Sequence, residues 1–108
     1  MKLMTKEIEN KLPALYETDG TPVIDKPYVV KFFTPWANWT WYAFEGDKEG
    51  DDYRFFGLVD GMELELGYFM LSDLEPIVGP AGLKIERDLH FDMTQFKREF
   101  AENKKVAV

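Results

Sequence analysis

Residues 32–42 organise the rest of the chain, and they contain all three of its tryptophans. They read Phe32-Phe33-Thr34-Pro35-Trp36-Ala37-Asn38-Trp39-Thr40-Trp41-Tyr42. Aromatic and β-branched residues on both sides of Pro35 predict two strands, residues 28–34 and 39–45. The four residues between these strands suit a tight hairpin connection. We therefore expect this hairpin to be the centre around which the other elements assemble.

A second hairpin is predicted downstream at Asp60-Gly61, because both positions tolerate positive φ. Its strands cover residues 53–59 and 62–70. A two-residue turn sets a register that places Val59 opposite Met62. One face of this hairpin is then apolar and predicted to lie in the core; it consists of Tyr53, Phe55, Gly57, Val59, Met62, Leu64, Leu66 and Tyr68. The other face mixes aromatic and acidic side chains, and we expect it to be only partly covered.

Short helices are predicted at both ends of the chain and in one connection. Thr5 is suited to cap a first helix over residues 6–15, and Thr94 to cap a last one over residues 95–104. Residues 72–75 read Ser-Asp-Leu-Glu, which resembles a capping box and predicts a helical turn. The predicted sheet therefore carries a helix at each end of the chain.

Alternating apolar and polar residues over positions 83–92 predict a fifth, amphipathic strand. The predicted fold class is therefore α+β, a mostly antiparallel sheet of about five strands with N-terminal and C-terminal helices. A chain of 108 residues is a single domain on length alone. Within it, residues 1–92 are predicted to form the core and residues 93–108 a C-terminal helical tail.

The composition argues against several kinds of site. The chain has no cysteine, which excludes a disulfide framework, a thiolate zinc site and a cysteine nucleophile. It has no Gly-rich phosphate loop, nucleophile elbow or HExxH motif. No apolar run is long enough for a signal peptide or a membrane span, which favours a cytoplasmic protein without membrane association. No catalytic residue, metal site or cofactor is predicted, and an enzyme is the less favoured interpretation.

Negative charge is concentrated in the middle of the chain. The net charge is −7 overall, while residues 45–92 hold thirteen acids and four bases, a balance of −9. Such a segment repels phosphate and attracts a basic partner. Ordinary solubility is the alternative explanation of the same charge. We therefore expect a basic host protein or nucleoprotein complex as the partner, with direct nucleic-acid binding less favoured.

Candidate binding residues fall into two groups, the aromatics of the first hairpin and the acids of the second. Trp36 and Trp39 lie at the hairpin connection, and Trp36 is expected to be the most exposed of the three tryptophans. Glu63 and Glu65 share one face of a predicted strand, where they suit a cation or a basic partner. The alternatives are tryptophans packed in the core and a solvated strand face. The full candidate set is Trp36, Asn38, Trp39, Trp41, Phe56, Glu63, Glu65 and Asp73.

Several blocks of the sequence carry a family pattern. They include Lys31-Phe32-Phe33-Thr34-Pro35, Asn38-Trp39-Thr40-Trp41-Tyr42, Phe55-Phe56-Gly57-Leu58-Val59, Glu65-Leu66-Gly67-Tyr68-Phe69 and Ile85-Glu86-Arg87-Asp88-Leu89. Over residues 1–92 the chain resembles a bacterial family named only as domain of unknown function 2958. The resemblance implies no established activity, but it implies a setting on plasmids and other mobile genetic elements, beside anti-restriction genes. His90 stands where the family pattern has Tyr, so the resemblance implies no catalytic role for it.

The expected function is that of a non-catalytic acidic binding protein of a mobile genetic element. In the implied setting it would be an anti-defence inhibitor, anti-restriction or anti-CRISPR, that docks on a basic nucleic-acid-binding protein. One alternative is direct binding of single-stranded nucleic acid through Trp36, Trp39 and the basic residues within 97–105. Another alternative is a small metal-dependent hydrolase that uses the two candidate glutamates with His90.

Overall fold

A computed structural model of the protein describes residues 1–92. These residues form one antiparallel sheet of five strands, which are β1, Val30–Phe33; β2, Thr40–Glu49; β3, Asp52–Asp60; β4, Leu64–Met70; and β5, Glu86–Arg87. The strands lie in the spatial order β4-β3-β2-β1-β5. The predicted five-stranded antiparallel sheet is therefore confirmed, although β5 is much shorter than the strand predicted over residues 83–92.

The helices are short, so the described part of the chain is mostly β rather than an even mixture of helix and sheet. They are α1, Lys6–Lys11, and α2, Leu71–Leu74, with 3₁₀ turns at Val23–Asp25 and Pro80–Gly82. The last helix predicted, residues 95–104, lies outside the described residues. No helix within residues 1–92 is long and apolar enough to cross a membrane.

Thr5 caps α1 as predicted, because its Oγ1 accepts a hydrogen bond of 3.3 Å from the N–H of Ile8. The helix ends at Lys11 rather than at residue 15. Pro13 explains this early end, since proline has no N–H with which to continue the helical hydrogen bonds.

The register of β3 and β4 differs from the predicted one by three positions. Val59 pairs with Glu65, not with Met62. The connection is longer than a two-residue turn, because residues 61–63 all lie outside the strands and are closed by one backbone hydrogen bond. A shift by an odd number of residues moves every side chain of a strand to the opposite face. The β4 residues wrongly assigned to the main core are Leu64, Leu66 and Tyr68.

Each face of the sheet packs against its own apolar core. On the first face Phe55 lies in the larger core, with the ring centroids of Phe32 and Phe69 at 5.6 and 5.1 Å. Leu74 of α2 closes this core from one side. On the second face a smaller core consists of Tyr28, Tyr42, Phe44 and Leu58.

A β-bulge in β2 buries a carboxylate on the second face. The pairing with β3 shifts between Ala43 and Glu45, so that Phe44 is the extra residue. Glu45 is only 1% exposed. Its carboxylate accepts hydrogen bonds from the backbone N–H groups of Tyr16, at 2.8 Å, and Thr18, at 3.0 Å. The sequence pattern did not predict this buried acid.

Lys26 completes the hydrogen-bonded network around that acid. Its Nζ donates to the carbonyl of Thr18 at 2.6 Å and to the Thr18 Oγ1 at 2.9 Å. The Thr18 hydroxyl in turn donates to the carboxylate of Glu45. The segment 13–18 therefore covers the part of β2 that lies beyond the end of the short β1, and a hydrogen bond of 2.9 Å from Gly46 N–H to Pro13 O holds it there.

Candidate functional site

The tryptophan-rich connection of the first hairpin and the turn of the second meet at a concavity of about 340 Å³. It is lined by Trp39, Val59, Met62, Glu63 and Glu65, and we call this set the Trp39 pocket. Three of these residues belong to the candidate set from the sequence, namely Trp39, Glu63 and Glu65. The other two, Val59 and Met62, are core residues in the sequence prediction. Val59 does pack against the first-face core while it also lines the pocket. Met62 lies in the connection between β3 and β4 and is 92% exposed, so its assignment to the core is wrong.

The pairing of three strands brings these side chains together. Trp41 of β2 pairs with Val59 of β3, which pairs with Glu65 of β4. The three side chains therefore form one row across the first face. Trp39 lies beside this row, because its indole stacks on that of Trp41 with centroids 5.9 Å apart and 28° between the planes.

Trp39 is held in place by its backbone and by its neighbours. Its backbone N–H donates a hydrogen bond to the Thr34 Oγ1 at 3.1 Å, and its backbone C=O accepts one from the Thr34 backbone N–H at 3.0 Å. Gly61 lies so close to the indole that a Cβ there would be 2.2 Å from ring atom Cζ3. The side chain is nevertheless 40% exposed. It is thus a fixed aromatic group with accessible surface at the pocket.

Glu63 and Glu65 supply the charge of the pocket. Both are exposed, and the ion pairs formed among residues 1–92 all join other side chains. Lysine and arginine pack their aliphatic stems on apolar surface while the cationic end reaches an acceptor. The pocket offers apolar surface from Val59, Met62 and the indole beside two carboxylates. This arrangement suits a cationic side chain of a partner.

The prediction that Trp36 is the most exposed tryptophan is wrong. Its indole is half-buried against Gly79, where a Cβ would lie 2.4 Å from ring atoms Cδ2 and Cε2. Trp41 is 7% exposed and belongs to the first-face core. These two side chains therefore support the fold. Asn38 is exposed in the connection but does not line the pocket.

Two further candidate residues lie away from the pocket. Phe56 is on the second face, where its ring contacts those of Phe44 and Tyr68 at centroid distances of 5.0 and 4.7 Å. Asp73 lies beyond the opposite end of β4 and caps α2, since its Oδ2 accepts a hydrogen bond of 2.9 Å from the N–H of Met70. The acids of this region thus do not form one cluster.

His90 is also separated from the glutamates of the pocket. It follows β5, at the opposite edge of the sheet from β4, and its N–H donates to the Asp88 Oδ1 at 2.8 Å. Among residues 1–92, no group of three or more His, Cys, Asp or Glu side chains is arranged to hold a metal ion. The described structure therefore does not assemble the ligand set that the hydrolase alternative requires.

The second face of β4 presents an exposed surface that the predicted register assigned to the core. Leu66 and Tyr68 are 47% and 48% exposed there. The pKa of Tyr68 is raised above its ordinary value, mainly by a hydrogen bond with the Tyr16 hydroxyl and to a lesser extent by burial. The guanidinium of Arg54 lies 5.9 Å from the Tyr68 ring. The aromatic row on this face therefore extends from the small core to the outer edge of the sheet.

Comparison with known protein families confirms the resemblance that the sequence blocks quoted above carry. Residues 3–107 match a family described as protein of unknown function DUF2958. The chain belongs to this family. The match extends past residue 92 and therefore beyond the part of the chain over which the quoted blocks carry the resemblance. No curated protein and no solved structure matches the chain significantly.

The description of the DUF2958 family names no activity. The chemistry of the Trp39 pocket is therefore what bears on the function of this DUF2958 chain.

Proposed function

We propose that this DUF2958 protein is a non-catalytic docking protein that binds a basic surface of another protein through the Trp39 pocket. The observation that carries the proposal is the arrangement of one fixed, exposed indole and two exposed carboxylates around a single concavity. A lysine or arginine side chain of the partner would lie along Val59, Met62 and the indole, with its charged end between Glu63 and Glu65.

The physical chemistry of the pocket favours binding of this kind. Tryptophan is among the residues that most often carry the binding energy of a protein interface. Carboxylates at the edge of such a contact set the orientation and the rate of association more than the affinity itself. The charge of −9 over residues 45–92 extends the attraction beyond the pocket.

The proposed partner is a basic nucleic-acid-binding protein of the host, on which the carboxylates take the places of phosphates. The mobile-element setting implied by the family resemblance suits an anti-defence inhibitor of restriction or CRISPR machinery. The proposal assigns no catalytic residue and no cofactor.

A pull-down from a host lysate at low and at high salt tests the proposal. The tagged protein is expected to retain a basic protein or nucleoprotein at low salt only, because screening weakens exposed charges. The variant Glu63→Lys/Glu65→Lys is expected to lose it. The matched control is Asp51→Lys/Glu75→Lys, which changes the net charge equally at exposed positions outside the pocket. Capture that survives the pocket reversal contradicts the proposal.

The exposure of Trp39 also supports a second candidate, direct binding of single-stranded nucleic acid by base stacking. Stacking is worth about 1–3 kcal/mol per base. Titration of the tryptophan emission with single-stranded DNA at two salt concentrations distinguishes the candidates. Quenching at low salt that Trp39→Ala abolishes would favour this second function, and unchanged emission contradicts it.

A further inference from the structure

The outer edge of β4 is an unpaired strand edge within residues 1–92. β4 is the terminal strand of the sheet, has seven residues and pairs with β3 without a bulge. It contains neither proline nor lysine, the residues that commonly protect an edge from other strands. The opposite edge is formed by β5, which has only two residues. Within residues 1–92 the sheet therefore has one long edge that carries neither of these residues.

The backbone groups on this edge point outward at alternate residues. The N–H of Met70 donates to Asp73 and not to its strand partner Arg54. The pair is therefore a non-hydrogen-bonded one, and the direction of backbone groups alternates along an antiparallel strand. It follows that the N–H and C=O groups of Leu64, Leu66 and Tyr68 point away from β3. Asp73 closes one end of this edge, and within residues 1–92 no strand pairs with the rest of it.

The side chains along the same edge differ between the two faces. On the first face Glu65 lies beside the Trp39 pocket. On the second face Leu66 and Tyr68 are about half exposed. Gly67 lies on the first face, and nothing is within 4 Å of the position of a Cβ there, so no other group covers that face of β4 at this residue. A strand added to β4 would meet acids on one face and apolar groups on the other.

We propose that the partner binds by adding an extended segment to the outer edge of β4. In this segment, lysine or arginine alternates with apolar residues. The basic side chains lie on the first face at Glu65 and the Trp39 pocket, and the apolar ones lie against Leu66 and Tyr68. Main-chain hydrogen bonds to β4 supply affinity, and the alternating side chains supply specificity.

The choice of a basic segment over a second copy of this chain follows from charge. Each copy carries a net charge of −7, with exposed Glu63 and Glu65 at the edge concerned. Two copies would bring these charges together, whereas a basic segment neutralises them. The basic character of the segment rests on the proposed function, while the mode of binding depends only on the edge.

The test uses two labelled peptides of identical composition. One alternates lysine and valine, and the other places the same lysines and valines in two blocks. Fluorescence anisotropy is expected to show binding of the alternating peptide at least about tenfold tighter, because only it presents one basic and one apolar face as a strand. Amide exchange is expected to slow at Leu64, Leu66 and Tyr68 when this peptide binds.

Leu66→Pro tests the edge directly, because it removes an outward N–H that makes no bond to β3. We expect it to weaken binding of the alternating peptide about tenfold, the effect of one lost hydrogen bond. Leu66→Val keeps the N–H and an apolar side chain at this position, so it is expected to weaken binding much less than Leu66→Pro does. Amide exchange of the unmodified protein provides the same test if the proline variant does not fold.

Each other outcome overturns strand addition. Equal binding of the two peptides, still abolished by Glu63→Lys/Glu65→Lys, refutes it and leaves the proposed function standing. No binding of either peptide contradicts both proposals. Slow exchange of the three amides in the free protein, with a dimeric mass or with loss of protection on removal of residues 93–108, shows that this chain itself occupies the edge.

Discussion

Gly57 and Gly67 pair directly across β3 and β4, yet only one of them has room for a side chain. A Cβ on Gly57 would lie 1.7 Å from the backbone oxygen of Tyr42 and 3.0 Å from the Cα of Ala43. A Cβ on Gly67 would meet nothing within 4 Å. The difference arises because Gly57 faces the bulged part of β2, where the neighbouring backbone comes unusually close, while Gly67 is on the outer strand.

This pair predicts opposite outcomes for one substitution. Gly57→Ala is expected to lower the free energy of unfolding by about 3 kcal/mol or more, because the backbone of β2 must move. Gly67→Ala is expected to be neutral or to raise it by up to about 1 kcal/mol, since alanine loses less backbone entropy on folding. Denaturant unfolding of the two variants measures both. Equal effects would show that β2 does not approach β3 as described.

The buried carboxylate of Glu45 predicts a stability effect that depends on hydrogen-bond direction. Glu45→Gln would place an NH₂ donor against the N–H donor of Tyr16 or of Thr18. The expected loss of unfolding free energy is about 2 kcal/mol, within the range for an unsatisfied buried group. The exposed Glu65→Gln makes the same change of charge and is expected to stay within about 0.5 kcal/mol of the parent protein. Similar losses in the two variants would contradict the buried network.

Asp52 predicts an acid-dependent contribution to stability. The Ser72 hydroxyl, and after it the backbone N–H of Tyr53, hydrogen-bond its carboxylate and hold its pKa below the ordinary value of 3.8. Because the folded pKa is the lower one, the contribution is complete above pH 3.8 and is lost as the pH falls through the folded value. The hydrogen bond between Ser72 and Asp52 joins the start of β3 to the first turn of α2.

Ser72→Ala is therefore expected to destabilise the protein more at pH 6 than at pH 2. Unfolding curves at the two pH values measure the difference. A destabilisation by Ser72→Ala that is independent of pH would show that the hydroxyl does not act through the carboxylate.

The positions of the strands follow from sequence because alternation and turn residues are local signals. The register of β3 and β4 does not, because the length of the turn depends on a distant contact. Gly61 packs on the indole of Trp39, and this contact belongs to the three-residue connection that replaces the predicted tight turn. A local rule for Asp60-Gly61 cannot include it, and one error in register moved a whole strand to the wrong face.

Part of the site could be predicted, because residue type is also a local signal. Trp39, Glu63 and Glu65 are candidates by residue type alone, and the strand pairing of the fold places them next to one another. The relative exposure of the tryptophans could not be predicted, because Trp36 is covered by Gly79 from a loop far away in sequence. The bulge that buries Glu45 could not be predicted from the sequence either, since nothing in the alternation of β2 marks the extra residue.

The Trp39 pocket predicts a charge-selective quenching of tryptophan fluorescence. Trp39 is the most exposed of the three tryptophans and lies beside Glu63 and Glu65. A cationic quencher such as Cs⁺ is therefore concentrated near the indole, while iodide is repelled. At an ionic strength of about 0.1 M, where the Debye length is about 10 Å, the ratio of the Cs⁺ to the iodide quenching constant should exceed that of free tryptophan.

The same experiment separates the field of the pocket from the overall charge of the protein. Glu63→Gln/Glu65→Gln is expected to lower the ratio, whereas Asp51→Asn/Glu75→Asn, with the same net charge, should leave it nearly unchanged because charges farther away are screened. Trp39→Phe should remove most of the quenching by either ion. If both double variants lower the ratio equally, the selectivity comes from the net charge, and Trp39 does not report a local acidic pocket.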